Sequence, residues 1–343
     1  MKLIELHILQ SFPVSCLNRD DIGSPKSAIF GGAPRARISS QCLKRAIREY
    51  AQQNISNAGF HGERTKLLVQ PFTDALIKNN IANEKAQELA TRVVSLLAGM
   101  RNGEVQTLMF LSPSEINSIA EQIATFGGEP TDKDIKAFCK KATLTDGADI
   151  AIFGRMVASL PDLTLEGAAM FSHALSTHKA ENDLDYFTAI DDLQPEGKTG
   201  AAMVETLEFN SAVYYRYAAL NLDLLFDENH LEVLNTEQRK NVVDAFIRST
   251  LMAVPGARKN SMNAATLPGY VLGIYKEAGT PLQLINAFEK PVWSKTGLLE
   301  ASIEKLKDHH KNLKETWGIE TEDVEIPGKT LQEFVTQLTD HVQ

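Results

Sequence analysis

The sequence predicts an α+β fold whose core runs β-α-β-β-α-β, interrupted by a large helical insertion and a long polar excursion. Three observations carry this prediction. Strand-like stretches rich in β-formers stand at residues 3–9, 209–222 and 269–275, and amphipathic helical spacing stands at 39–53 and 236–252. The 343 residues also exceed what one such core needs, leaving room for insertions. Apolar residues at 43% and charged residues at 23% are those of a folded chain, which excludes collagen-like, coiled-coil and natively disordered readings.

The elements follow in order. The opening MKLIELHILQSF carries Glu5 and His7 and lacks a small-residue cleavage site, so it reads as a strand and not as a signal peptide. After a Gly/Pro-rich loop, residues 39–53 read as a helix with the apolar stripe Leu43, Ala46, Ile47 and Tyr50. Its other face carries Gln41, Lys44, Arg45 and Arg48, spaced so that one extended anion touches several of them. Residues 65–142 are helical in pattern, with segments 83–97, 113–125 and 131–141 separated by Gly, Pro and Ser. Residues 149–153 read as a short strand running into Gly154-Arg155-Met156, and helix-like spacing returns over 166–176. The polar stretch 179–208 is too long for a compact loop and reads as functional or disordered. A long strand at 209–222, a helix at 236–252 and a strand at 269–275 follow, and 281–342 adds covering helices. Stripped of insertions, this is the ferredoxin-like or RNA-recognition-motif order, whose sheet and flanking loops often hold nucleic acid.

Charge sharpens that expectation. Lys and Arg number 35 against 44 Asp and Glu, and the net charge of −9 argues against nonspecific nucleic-acid binding. Yet residues 22–48 hold Lys26, Arg35, Arg37, Lys44, Arg45 and Arg48 with no acid, and residues 245–276 hold Arg248, Arg258, Lys259 and Lys276 with none. Such segregation suits one face meeting an anion. The glycines and arginines before the helix at 39–53, and its acid-free first turn, suit phosphate.

Other chemistry is poorly supported. Gly197-Lys198-Thr199 and Gly328-Lys329-Thr330 end like a P-loop, but Asp192 and Asp323 occupy the first required glycine, which excludes nucleotide hydrolysis. His173 and His178 are five apart, on different helical faces, and read as capping or core residues, not metal ligands. His309 and His310 read as surface residues. Asp20 and Asp21 read as turn formers, with metal-assisted cleavage of a phosphodiester as the alternative. Cys16, Cys42 and Cys139 are odd in number and unpaired in spacing, hence free thiols. No uncharged apolar run of about eighteen residues suggests a membrane span, so the expectation is a cytoplasmic protein with no cofactor and no metal. Phe187, among Asp183, Asp185, Asp191 and Asp192, sits in poor context for a core. An exposed aromatic or a Met such as Met156 near a basic groove suits stacking on a nucleobase.

Several stretches together resemble one family. They are CLNRDDIGSPKSAIFGGAPRARISSQCLKRAIR (16–48), GADIAIFGRM (147–156), SHALSTHKAENDLDYFTAIDDL (172–193), VYYRYAALNL (213–222), VPGARK (254–259) and NAFEKPV (286–292). In this order they are similar to CasC, the repeated backbone subunit of the type I-E CRISPR complex Cascade. The resemblance implies an RNA-recognition-motif-like palm (1–53, 143–180 and 209–343), a helical fingers insertion (54–142) and a thumb (181–208). It implies a noncatalytic role in antiviral defence. Copies form a helical filament along CRISPR RNA, with other Cascade subunits and the target DNA strand paired to the guide as further partners. Carried over by motif, Arg19, Lys26, Ser39, Gln41, Lys44, Arg45 and Arg48 contact guide phosphates and sugars, with Arg258 and Lys259 a second group. Met156 packs against bases, and Phe187, Thr188 and Met203 stand at a displaced nucleotide. The alternative is a metal-dependent ribonuclease acting through Asp20 or Asp21, as in backbone subunits of type III complexes.

Overall fold

The computed structural model describes residues 1–101, 104–189 and 203–343. Strand β1 (Leu3–Ser15) outruns its predicted end and is buried on both faces, Ile4, Leu6 and Ile8 in one core and Leu9 in another. The hairpin β2 (Ser27–Phe30) and β3 (Ala33–Ile38) leads into helix α1 (Ser40–Asn54), which buries Leu43, Ile47 and Ala51 at fourth-residue spacing.

The insertion comprises β4 (Glu63–Thr65), α2 (Val69–Lys78), α3 (Asn83–Ala98), β5 (Met100–Arg101), β6 (Glu104–Val105), β7 (Met109–Leu111), α4 (Pro113–Thr125) and α5 (Asp132–Lys140). Its three predicted helices are present, and capping boxes at Ser112 with Glu115 and Thr131 with Asp134 fix where α4 and α5 begin. The four added strands have two or three residues each, too short for alternation to register. Phe72, Leu76, Val93, Val94, Ile119 and Ile135 belong to a core of the insertion's own, which also takes in Val157, Leu160 and Leu163.

Two expectations fail next. Residues 149–153 are not a strand but lie in helix α6 (Ala148–Phe153), every residue from Ala148 to Ile152 being buried. A short apolar run of this kind has the same periodicity in a buried helix as in a buried strand. Residues 166–176 are not helical but hold β8 (Ala169–Phe171) and β9 (Ala174–Ser176), where pairing with a later strand overrides local spacing. That strand is β11 (Met203–Asn221), and its first part pairs with β10 (Asp183–Ala189). The polar stretch is therefore a hairpin flanking residues 190–202, which lie outside the described residues, as does the side chain of Met203.

After α7 (Leu222–Leu225), the predicted helix is α8 (Thr236–Met252), started by a capping box of Asn235 and Gln238. Strand β12 (Tyr270–Lys276), α9 (Leu298–Trp317), β13 (Glu322–Ile326) and α10 (Leu331–Thr339) complete the chain. Among the described residues no helix is long and apolar enough to cross a membrane.

The main sheet runs β13-β12-β1-β11-β9-β3-β2, with β8 and β10 also on β11. Its centre, β12-β1-β11-β9, is antiparallel throughout and has the ferredoxin-like order, the second strand coming from β8 and β9. Helices α1, α8 and α10 lie on one face, where Ala51, Phe246 and Phe334 are buried with Ile4, Leu6 and Ile8. On the other face, Leu306 of α9 is buried with Tyr215, Tyr217, Leu272 and Phe288. Fully burying such a leucine contributes roughly 1.5–3 kcal/mol. This corrects the expectation of a sheet surface open to nucleic acid: the face opposite α1 and α8 is occupied, and only its flanking loops remain.

Candidate nucleic-acid interface

The second basic window disperses on folding. Lys276 is buried against Glu5 at 2.9 Å and Arg248 pairs with Asp244 at 2.7 Å, which leaves Arg258 half-buried and Lys259 exposed. Arg35, in the first window, is also structural. Fully buried, it donates to the carbonyls of Ser176 (2.9 Å), Phe288 (2.8 Å) and Glu289 (3.2 Å). Gly31 and Gly32 do not cradle a helix terminus. They turn the β2–β3 hairpin at φ +57° and +71°, and a Cβ on Gly31 would lie 1.7 Å from the Glu289 carbonyl oxygen.

The remaining cations form a band. Loop 17–26 is closed by Lys26 N donating to Asn18 O (2.8 Å) and is tied to β3 and the start of α1 by Arg37 N donating to Lys26 O (2.8 Å) and Ser39 N to Asn18 Oδ1 (2.9 Å). Ser39 is buried and its hydroxyl caps α1 by accepting from Cys42 N at 3.3 Å, so the hydroxyl predicted for a phosphate already has a partner. Gln41 is exposed in the first turn of the helix. A groove of about 770 Å³ opens between this loop, α1 and residues 255–259, lined among others by Arg19, Asp20, Asp21, Arg45, Glu49 and Lys259. Arg45 Nε lies 2.7 Å from Glu49 Oε1. Arg258, at φ +53°, is half-buried, its Nε is enclosed without a partner, and its carbonyl accepts from Met262 N at 2.8 Å.

Helix α1 divides its basic residues between two places, which the heptad-like spacing does not disclose. Arg45 turns to the groove. Lys44 sits 5.4 Å from the Phe171 ring centroid and Arg48 5.1 Å from that of Phe110. Arg64, on β4 opposite Phe110 of β7, sits 4.5 Å from the same ring. Burial and the neighbouring Arg64 hold the Lys44 ammonium below its ordinary value, and burial and Arg48 do the same to Arg64. Lys26, Arg37 and His173 form a further group. Arg37 Nη1 lies 3.3 Å from His173 Nδ1, and burial together with Arg37 and Lys26 keeps His173 below its usual value. Arg64 lies outside both acid-free windows, so composition alone does not single it out. A cation in strand register with Phe110 is a signal only once β4 and β7 are paired.

Met156 is 83% exposed. It is presented by Arg155, which donates to Leu163 O (3.0 Å) and Phe110 O (3.1 Å) and pairs with Glu115 at 2.7 Å. On the β10 arm Tyr186 is 72% and Phe187 37% exposed, and Thr188 is exposed, in accord with the expectation that Phe187 is not core. His178 is a core residue, with Nδ1 2.7 Å from Lys179 O and Nε2 accepting from Val213 N at 3.2 Å. His310 is not a free surface residue but half-buried, 3.0 Å from Asp323. Asp20 Oδ1 accepts from Ile22 N (3.0 Å) and Ser24 N (2.9 Å), the turn role read from the sequence. Thr330 caps α10, while Gly197-Lys198-Thr199 lies outside the described residues. All three cysteines are free. Among the described residues no three His, Cys, Asp or Glu are grouped to hold a metal ion.

Comparison with known proteins agrees with the architecture. A chain of a solved structure described as a CRISPR RNA-guided surveillance complex, pre-nicking, is 25% identical. It matches with a TM-score of 0.80 over 98% of this chain and 99% of its own length. A second, from a CRISPR RNA-guided surveillance complex, shares the fold at 22% identity and a TM-score of 0.66, over 98% of both chains. No curated protein matches the sequence. A family model described as CT1975-like protein matches residues 4–339, nearly the whole chain, and in keeping with the CasC resemblance of its motifs the chain belongs to the CT1975-like family of Cas proteins.

Proposed function

We propose that this chain is a noncatalytic CRISPR-RNA-binding subunit that polymerises along the guide as the backbone of a surveillance complex of the type I-E Cascade kind. The observation that carries the reading is the cationic band. In a chain of net charge −9, Arg19, Lys26, Lys44, Arg48 and Lys259 have no ion-pair partner among the described residues, and they follow α1 and its flanking loops. A band of point charges and forks with few base readers suits a carrier that accepts any guide sequence. The whole-chain likeness to a chain of a CRISPR RNA-guided surveillance complex supports the same partners: CRISPR RNA, further copies of this chain, other subunits and the target DNA strand.

In this reading Arg19, Lys26, Gln41, Lys44, Arg45 and Arg48 contact phosphates and sugars, with Ser39 shaping the helix start and Arg258 and Lys259 closing the groove. Met156 meets bases. The β10–β11 hairpin is the thumb, with Phe187, Thr188 and Met203 toward a displaced nucleotide. Residues 54–142 are fingers on a palm built from the remainder.

The test is binding to single-stranded RNA across a salt series. Affinity should fall with salt, and Lys44→Gln or Arg48→Gln should each flatten the log–log slope by about 0.7, the value for one phosphate in a single strand. Sedimentation should find more copies on longer RNA. One protein per RNA at every length, or slopes equal to wild type, refutes the proposal. Incubation with RNA and magnesium examines the ribonuclease alternative. Cleavage abolished by Asp21→Ala, with folding intact, would establish it in place of the noncatalytic role.

A further inference from the structure

We propose that Lys44, Arg48 and Arg64 together form a single phosphate-binding site, in which Arg64 brings the insertion into direct contact with the RNA. The inference rests on the RNA-binding reading above and adds to it a residue from outside α1. Arg48 and Arg64 lie over one aromatic ring, Phe110, at 5.1 and 4.5 Å, and Lys44 stands one turn before Arg48 on the same side of α1. Like charges packed this closely repel.

None of the three makes an ion pair among the described residues, and Nη1 of Arg48 is enclosed without a hydrogen-bond partner. The Asp149 carboxyl acts on Arg48 and Arg64 through space without pairing with either, and it is fully buried with both oxygens engaged by other donors. Its Oδ1 accepts from Gly62 N at 3.0 Å and its Oδ2 from Gln52 Nε2 at 3.4 Å, and burial pushes it up to about 6.

The geometry is held, not incidental. Arg64 is paired in register with Phe110 across β4 and β7, so the ladder fixes its distance from the ring. Gly62 lets that strand approach: a Cβ there would stand 2.6 Å from the Phe110 ring and 2.7 Å from Asp149 Oδ1. The Phe110 carbonyl in turn accepts from Arg155, whose neighbour Met156 is exposed. A site of two guanidinium forks and an ammonium fits an oxyanion with several acceptor oxygens. Its continuity with the band on α1 identifies that anion as a phosphodiester of the same RNA strand.

The experiment compares Arg64→Met, which keeps an apolar stem over Phe110, with Arg64→Lys, which keeps the charge. The full chain and a fluorescent single-stranded RNA are used, with Lys44→Gln alongside. Arg64→Met should flatten the log–log salt slope by about 0.7 and Arg64→Lys should leave it as in wild type, with both melting temperatures near wild type. An unchanged slope in Arg64→Met beside a flattened one in Lys44→Gln overturns the Arg64 site and leaves the broader reading standing. Absence of salt-dependent binding in the wild type overturns both. Should Arg64→Met not fold, Arg64→Gln supplies the same comparison.

Discussion

Glu115→Gln tests whether charge locks the insertion to the central sheet domain. Oε1 of Glu115 sits 2.7 Å from Nη1 of Arg155, and the two side chains are 5% and 7% exposed. Oε2 accepts from Ser112 N at 3.0 Å and closes the capping box of α4. Glutamine keeps such a box with its one carbonyl oxygen, so the substitution removes the charge and the acceptor that faces Arg155. Arg155 retains the Leu163 and Phe110 carbonyls, but its guanidinium is left buried without an anion. Removing one partner of a buried pair costs about 3–5 kcal/mol. The surviving acceptors place the expectation at the lower end, about 3 kcal/mol, or roughly a hundredfold in the folded-to-unfolded ratio. Urea unfolding followed by far-ultraviolet circular dichroism measures it. Glu115→Gln combined with Arg155→Met should cost less than the sum of the two single changes, because the second removes the stranded charge. A loss below 1 kcal/mol for Glu115→Gln, or strict additivity, refutes the reasoning and makes the pair incidental.

Three further outcomes follow from the same geometry. Burial pushes the Asp149 carboxyl up to about 6, against the Gly62 amide and Arg48, so the native state favours its protonated form and stability falls as pH rises from about 4 to about 6. Asp149→Asn should abolish that portion of the pH profile and be the more stable at pH 7.5, by at most about 3 kcal/mol; identical profiles for variant and wild type contradict this. Gly31→Ala should cost more than Gly32→Ala in thermal unfolding, since both have positive φ but only the first would drive a Cβ into Glu289; equal losses show that the hairpin yields freely. Phe187→Ala should weaken assembly on RNA by about 1–3 kcal/mol per stacked base while costing the free subunit about 1 kcal/mol, because the side chain is 37% exposed. A loss of several kcal/mol in the free subunit would make Phe187 a core residue.

Elements that carry their own signal were legible without the fold. Helices α1, α3, α4, α5 and α8 announce themselves by apolar spacing, and the caps the structure shows at Ser39, Ser112, Thr131 and Asn235 are likewise made within a few residues of chain. The acid-free window containing Lys26, Lys44 and Arg48 was equally plain, since charge segregation is a property of composition. Residues 149–153 and 166–176 were misread because their conformation is settled by distant partners. The Gly62 amide donates to Asp149 of the former in the interior, and β11 pairs with the latter. The same holds for the site. That Arg35 and Lys276 are buried while Lys44 and Arg48 are not depends on which backbone carbonyls and carboxylates lie 141 to 271 residues away. That Arg64 joins Arg48 over Phe110 depends on the pairing of β4 with β7. A cation's type and neighbours in sequence fix its charge, but only the packed chain decides whether that charge is compensated within the protein or left facing a ligand.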